Sequence, residues 1–184
     1  MPRRTDTRER MIRTAASLFR AQGYHATGLN QVLVEGGAPK GSLYFHFPGG
    51  KEQLAVEAVT LAGAAQCERL RAVLAETPDP VTALARALDV LAQDLVDSDF
   101  RDGCPISTVA LDVGGDNEPI RVACADAYAS WQRIIADHVG SESLAAVVLA
   151  ALEGALLLAR TQRDLAPLRA LETHLAPLLG RTSP

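Results

Sequence analysis

Residues 36–51 read Gly-Gly-Ala-Pro-Lys-Gly-Ser-Leu-Tyr-Phe-His-Phe-Pro-Gly-Gly-Lys. Within that stretch Lys40, Ser42, Tyr44 and His46 carry hydrogen-bond donors suited to phosphate oxygens or to base edges. Gly41 and Ser42 are small enough to let the backbone approach a partner closely, while Leu43 and Phe47 face inward and hold the segment in place. Lys51 adds a charge at the start of the following helix, whose own N-terminus favours a phosphate. The remaining reactive residues are scattered. His25, His46, His138 and His174 lack metal-ligand spacing, and Cys67, Cys104 and Cys124 form neither a CxxC site nor an even disulfide set. No HExxH, GxSxG, GxGxxG or P-loop pattern is present, and no inward Glu-x-x-His pair for a bundle enzyme. Asp112 and Asp116 sit beside glycines and read as turn residues. An enzyme, a bound metal and a cofactor are therefore not expected.

Charge is distributed unevenly along the 184 residues. Residues 1–51 carry eight basic side chains (Arg3, Arg4, Arg8, Arg10, Arg13, Arg20, Lys40, Lys51) against three acidic ones, and the remaining residues are strongly acidic, giving −4 in all. A basic N-terminal segment on an acidic body fits a polyanionic partner at one end; the alternative is a solvated helix whose Arg and Glu near residue 10 make i,i+4 pairs. The 48% hydrophobic content is that of a globular chain. The longest apolar run, residues 144–159, falls short of the roughly 18 residues of a membrane span and predicts a buried helix. Met1-Pro-Arg-Arg is followed by no apolar region, so neither a secretory signal nor a membrane partner is expected, and a reducing cytoplasmic location is.

The elements that must position these residues read as helices throughout. Met11, Ile12, Ala15, Ala16, Leu18 and Phe19 give a 3.6-residue period, with Thr5 or Thr7 as cap and Gly23 as stop. Thr27 is expected to cap a second short helix through Val34, stopped by Gly36-Gly37. A third runs from about Pro39 to Phe45, and Lys51 opens a long fourth to about Glu76. Asp79 caps a fifth that has Pro80 in its first turn. A sixth covers Pro105–Val113 and ends at Gly114-Gly115; the seventh starts at Glu118-Pro119 and closes at Gly140. Ser141 caps an apolar eighth, and Asp164 a leucine-striped ninth. The expected fold is all-α: an N-terminal three-helix helix-turn-helix domain over residues 1–50, and a C-terminal helical bundle of about six helices over residues 51–184. Two short helices joined by a glycine turn suit the motif in which one helix braces and the next enters a major groove.

The string Thr27 … Gly36 to Phe47, followed by Lys51-Glu52-Gln53-Leu54, resembles the N-terminal domain of the TetR family of transcriptional regulators across roughly residues 8–59. Pro48 to Glu52, Gly103-Cys104-Pro105-Ile106 and Glu153-Gly154-Ala155 resemble the LmrA/YxaF branch of that family. The resemblance implies a homodimeric repressor that binds double-stranded operator DNA and is released by a small apolar or aromatic ligand. By position, Thr27, Tyr44, His46 and Lys51 match the family's phosphate-contacting places, and Lys40, Gly41 and Ser42 its base-proximal ones. Gly49-Gly50 makes the link to the fourth helix one residue longer than the common pattern. Phe45 takes a position that is often polar, either to touch a thymine methyl or to pack.

The resemblance also assigns the acidic body. Phe100, Cys104, Val109, Cys124, Tyr128 and Trp131 fall on the loop and helices that enclose a ligand in relatives. Tyr128 and Trp131, three residues apart, share a helix face. The eighth helix is apolar nearly all round, so one side is expected to face its own core and the other a second copy of the chain. Ala151, Leu152, Gly154, Ala155 and Leu158, with Leu168, Leu171 and Leu175 of the ninth helix, are the expected dimer interface. Two alternatives remain open. One is a redox-responsive regulator using Cys104, whose place before Pro105 puts it at a helix N-terminus that would lower its pKa. The other is a helical adaptor that binds proteins and not DNA, which leaves the Lys40–His46 string without a cause.

Overall fold

A computed structural model describes residues 4–113, 115 and 117–180; the side chains of Arg4 and Thr5 and the residues Gly114 and Asp116 fall outside that description. Among the described residues there are nine helices and no strand. They are α1 (Arg4–Gln22), α2 (Leu29–Glu35), α3 (Ser42–His46), α4 (Gly50–Glu76), α5 (Pro80–Asp97), α6 (Ser107–Val113), α7 (Glu118–Val139), α8 (Glu142–Gln162) and α9 (Ala166–Leu179).

Most boundaries follow from local chemistry. Asp79 caps α5, its Oδ2 accepting from the Thr82 amide at 2.8 Å, with Pro80 in the first turn. Ser141 caps α8 through the Leu144 amide at 3.3 Å. Gly23, Gly37 and Gly140 adopt positive φ where α1, α2 and α7 stop.

Five expected starts are corrected. α1 begins at Arg4, ahead of both Thr5 and Thr7, and Asp6 in its first turn complements the positive helix end. α2 is capped by Gly28, because Thr27 turns inward and donates its hydroxyl to the Gly23 carbonyl at 2.7 Å. α3 begins at Ser42, since Gly41 sits at φ 91 and Ser42 closes a turn onto the Pro39 carbonyl through both its amide and its hydroxyl. α6 begins at Ser107, with Pro105 and Ile106 forming a turn. α9 is preceded by Leu165 as cap, while Asp164 Oδ1 takes the Ala166 amide at 2.9 Å.

The chain forms two compact units, Met1–Ala64 with Pro105–Ala127, and Ala65–Cys104 with Tyr128–Pro184. They do not divide at residue 50, which is the first residue of α4. In the first unit Met11, Phe19, Val32, Phe47, Leu54, Val109 and Ile120 are fully buried. α4 and α7 approach closely there: a Cβ added at Gly63 would lie 2.9 Å from Ala127 Cβ. In the second unit α9 packs on α8 and α5, burying Leu84, Leu88, Leu95, Ala159, Leu168, Leu175 and Leu179.

Candidate nucleic-acid interface

α3 is only five residues long, so packing rather than propensity holds it in place. Leu43 and Phe47 are its buried anchors, and the Arg8 guanidinium lies 5.1 Å from the Phe47 ring centroid. The opposite side is open. Tyr44 is 66% and Phe45 62% exposed, and Lys40 is exposed with no ion pair among the described residues. Phe45 therefore does not pack into the core; its ring meets His46 edge-on at 5.0 Å. Tyr44 lies against the start of α4, where a Cβ on Gly50 would be 3.6 Å from its Cε1. His46 is half-buried. Gly41 is needed for its left-handed backbone as well as its small size.

Thr27 departs from its expected role, because its side chain is only 1% exposed. Its hydroxyl donates to the Gly23 carbonyl and accepts from Gln22 Nε2 at 3.2 Å, so it braces the α1–α2 turn. Lys51 is half-buried and folded back: its Nζ sits 4.4 Å from the Tyr24 ring centroid and donates to the His25 carbonyl at 3.5 Å. Burial pushes its pKa down, partly opposed by the negative charge of Asp112. Burial, and then the charge of Glu52, pushes the Tyr24 phenol up.

Three of the N-terminal arginines serve the fold. Arg8 pairs with Glu57 at 2.5 Å, Arg10 Nε donates to the Gly36 carbonyl at 3.1 Å, and Arg13 pairs with Glu9 one turn away. The i,i+4 reading of Arg13 and Glu9 is thus correct, and two of the eight N-terminal cations, Arg8 and Arg13, are ion-paired within the unit. Tyr24, His25 and Asp112 join the site unannounced, since the Asp112 carboxylate accepts the His25 amide at 2.6 Å across 87 residues.

Comparison with known proteins decides what this arrangement belongs to. Residues 11–58 match the family described as "Bacterial regulatory proteins, tetR family", and residues 80–174 match "Transcriptional regulator LmrA/YxaF-like, C-terminal domain". The chain belongs to the TetR family of transcriptional regulators. Similar full-length relatives include the HTH-type transcriptional regulators YxaF and LmrA of Bacillus subtilis. YxaF is 36% identical, covering 91% of this chain and 92% of its own; LmrA is 37% identical, covering 96% and 98%. A TetR transcriptional regulator from Chloroflexus aurantiacus superposes with a TM-score of 0.80 at 29% identity, over 96% of this chain and 95% of that one. TetR membership makes DNA-binding regulation, and not catalysis, the activity of this chain.

In this TetR-family chain the expected pocket residues divide between the units. Val109 and Cys124 are buried in the first. Cys104 and Trp131 are buried in the second, where Phe100 is half-buried at φ 57 and the Tyr128 ring meets Trp131 edge-on at 5.4 Å. A separate cavity of about 40 Å³ in the second unit is lined by Leu74, Leu84, Ile135, His138, Val148 and Leu179, among others, and by none of those six. Among the described residues His138 Nε2 is buried without a hydrogen-bond partner.

The cysteines lack the exposure of a reactive thiol. All three are buried, burial raises the Cys67 thiol and lifts Cys124 to about 11, and Cys104 stands three residues ahead of α6 rather than at its N-terminus. The expected dimer set also splits. Ala155, Leu168 and Leu175 are buried within their own unit, Ala151, Leu152 and Leu171 are half-buried, and Gly154 and Leu158 are exposed. Val147 and Leu157, which sequence reading missed, and Leu178 of the ninth-helix leucine stripe are about half exposed.

Proposed function

We propose that this TetR-family protein is a homodimeric repressor that reads its operator with α3 and is released by a small apolar ligand. The observation that carries the DNA reading is α3 itself, with Leu43 and Phe47 buried and Lys40, Tyr44 and Phe45 open on the other side. Lys40, Gly41 and Ser42 lie nearest the bases; Tyr44, His46 and, once unfolded from Tyr24, Lys51 hold phosphates. Thr27 contributes by bracing the turn rather than by contact. A related TetR-family regulator, CifR, is known in complex with 26-bp double-strand operator DNA and superposes with a TM-score of 0.77, which supports the same use of the fold.

Dimerisation is supported by α8. By length and composition it is apolar enough to cross a membrane, yet only 28% of its most apolar window is buried. Val147, Ala151, Gly154 and Leu158 recur on one face, and a Cβ at Gly154 would meet nothing within 4 Å. A second copy of α8, with Leu171 and Leu178 of α9, covers that face and allows close approach at Gly154. Reading consecutive major grooves requires the two α3 helices of such a dimer to lie roughly 34 Å apart, one helical turn of DNA. The effector reading rests on membership of the family, since the second-unit cavity of about 40 Å³ is far smaller than the roughly 300 Å³ or more of a ligand pocket. The three free cysteines suit a reducing cytoplasm.

The test is fluorescence anisotropy with the DNA flanking the protein's own gene, beside a scrambled duplex, at two salt concentrations. Tight binding to the first duplex that falls steeply with salt is expected. Tyr44→Phe should weaken binding to all sequences, whereas Lys40→Ala should alter sequence preference. No binding at low salt would refute the reading.

A further inference from the structure

The turn between α1 and α2 is held from two sides by residues of the same unit. On one side, Asp112 of α6 accepts the His25 amide at 2.6 Å and crowds Gly23, where an added Cβ would lie 2.9 Å from Asp112 Oδ2. On the other, Lys51 of α4 rests its ammonium on the Tyr24 ring and donates to the His25 carbonyl. Asp112 is the carboxylate whose charge acts on Lys51. The acid adjacent to Lys51 in sequence, Glu52, is engaged by Asn117 Nδ2 at 2.6 Å. Lys51 is also the cation that the DNA reading assigns to a backbone phosphate. An ammonium cannot keep its full interaction with a carboxylate at the turn while it moves out to a phosphate. The two anions compete for it.

We propose that Asp112 is a positioning residue for DNA binding: its carboxylate holds Lys51 against the Tyr24–His25 turn in competition with the DNA backbone, and so sets how tightly the protein grips DNA. The inference rests on the reading of α3 and the start of α4 as the DNA-binding face. It adds a determinant from α6, outside the three-helix head. Asp112 is exposed, so the competition is screened by salt. Substituting Asp112→Asn removes the charge and leaves a side-chain oxygen to accept the His25 amide. The turn is retained and Lys51 is released.

The experiment is a double-mutant cycle of Asp112→Asn and Lys51→Ala, read as affinity for a non-specific duplex by anisotropy at low and at moderate salt. Unfolding midpoints of all four proteins are measured beside it. Asp112→Asn alone is expected to tighten binding about twofold per head, the order of a charge–charge interaction between exposed groups that share one turn without direct contact, with an unchanged unfolding midpoint and a smaller gain at higher salt. In the Lys51→Ala background most of that gain should vanish. An equal gain in both backgrounds would reveal a general field effect and overturn the pairing alone, and so would an unchanged or weaker affinity for Asp112→Asn. If none of the four proteins bound the duplex even at low salt, the DNA reading itself would fall and the competition with it.

Discussion

Gly23 is where the structure places its sharpest demand on a single residue, and replacing it with alanine tests the α6 contact directly. Its φ of 85 lies in the left-handed region, which costs an alanine about 1 kcal/mol or somewhat more. The new Cβ would meet Asp112 Oδ2 at 2.9 Å and Cγ at 3.3 Å, so the Asp112 side chain has to move. Moving it breaks the 2.6 Å bond to the His25 amide, worth about 1 kcal/mol for a solvent-exposed hydrogen bond. Gly23→Ala is therefore expected to lose about 2–3 kcal/mol of stability by these two costs together. In an Asp112→Ala background the second cost is already spent, and Gly23→Ala should lose only the first. Gly23→Asn gives the complementary arm, because asparagine tolerates the left-handed region better than alanine yet brings the same Cβ. The measurement is urea unfolding followed by far-UV circular dichroism, with amide exchange at residues 23–28 to localise the loss. Trp131, the single tryptophan, lies in the second unit and serves as an internal control. A Gly23→Ala protein within about 0.5 kcal/mol of the parent would refute the turn geometry. An equal loss in both backgrounds would refute the α6 contact while leaving the backbone argument intact.

Three further outcomes are expected. Leu158→Glu should convert a dimer to monomers in sedimentation or light scattering, whereas a substitution at buried Leu175 should unfold the chain rather than dissociate it; a Leu158→Glu dimer would sink the α8 interface. The Asp79 carboxyl is held below its usual range first by its hydrogen bonds to Thr82, so the stability it adds is full above the ordinary carboxylate pKa and fades as pH falls through the lowered folded value. Asp79→Ala should accordingly lower the urea midpoint at neutral pH and do so less in acid. Cys124, lifted to about 11 by burial, keeps its proton in the folded state after the unfolded thiol has lost it near 9, so stability should fall as pH rises through that interval. Cys124→Ala should flatten the alkaline fall, and a thiol reagent should label the native parent only as fast as it unfolds.

What sequence could and could not say divides along the distance between partners. The all-α fold, the Gly37 stop, the Asp79 and Ser141 caps and the Leu43–Phe47 anchors are set by neighbours within a turn or two, and such patterns are written in consecutive residues. The starts of α2 and α3 failed for a local reason of a different kind. Thr27 is a good cap residue, but its hydroxyl donates to the Gly23 carbonyl inside its own turn, and the competition between that bond and a cap has no sequence signature; α3, expected from about Pro39, begins at Ser42 because Gly41 takes a left-handed backbone. The expected dimer stripe is divided within the chain because α9 shows leucine on two faces: Leu168 and Leu175 turn inward and Leu178 outward, and a helical period alone does not say which face a neighbour will take.

Charge separates sequence from fold most clearly. Eight basic residues in the first 51 suggested a surface turned to a polyanion, yet Arg8, Arg10 and Arg13 are engaged by Glu57, the Gly36 carbonyl and Glu9. Among the described residues Lys40 has no ion pair and Lys51 is held by the Tyr24–His25 turn. Net charge over a segment counts cations; it does not distinguish those already spent on the fold from those still open to a ligand. Asp112, 87 residues beyond His25, read as a turn residue beside a glycine, and only the fold brings it to the α1–α2 turn. A side chain whose significance depends on which anion it must release is therefore the kind of functional residue that only a three-dimensional arrangement can expose.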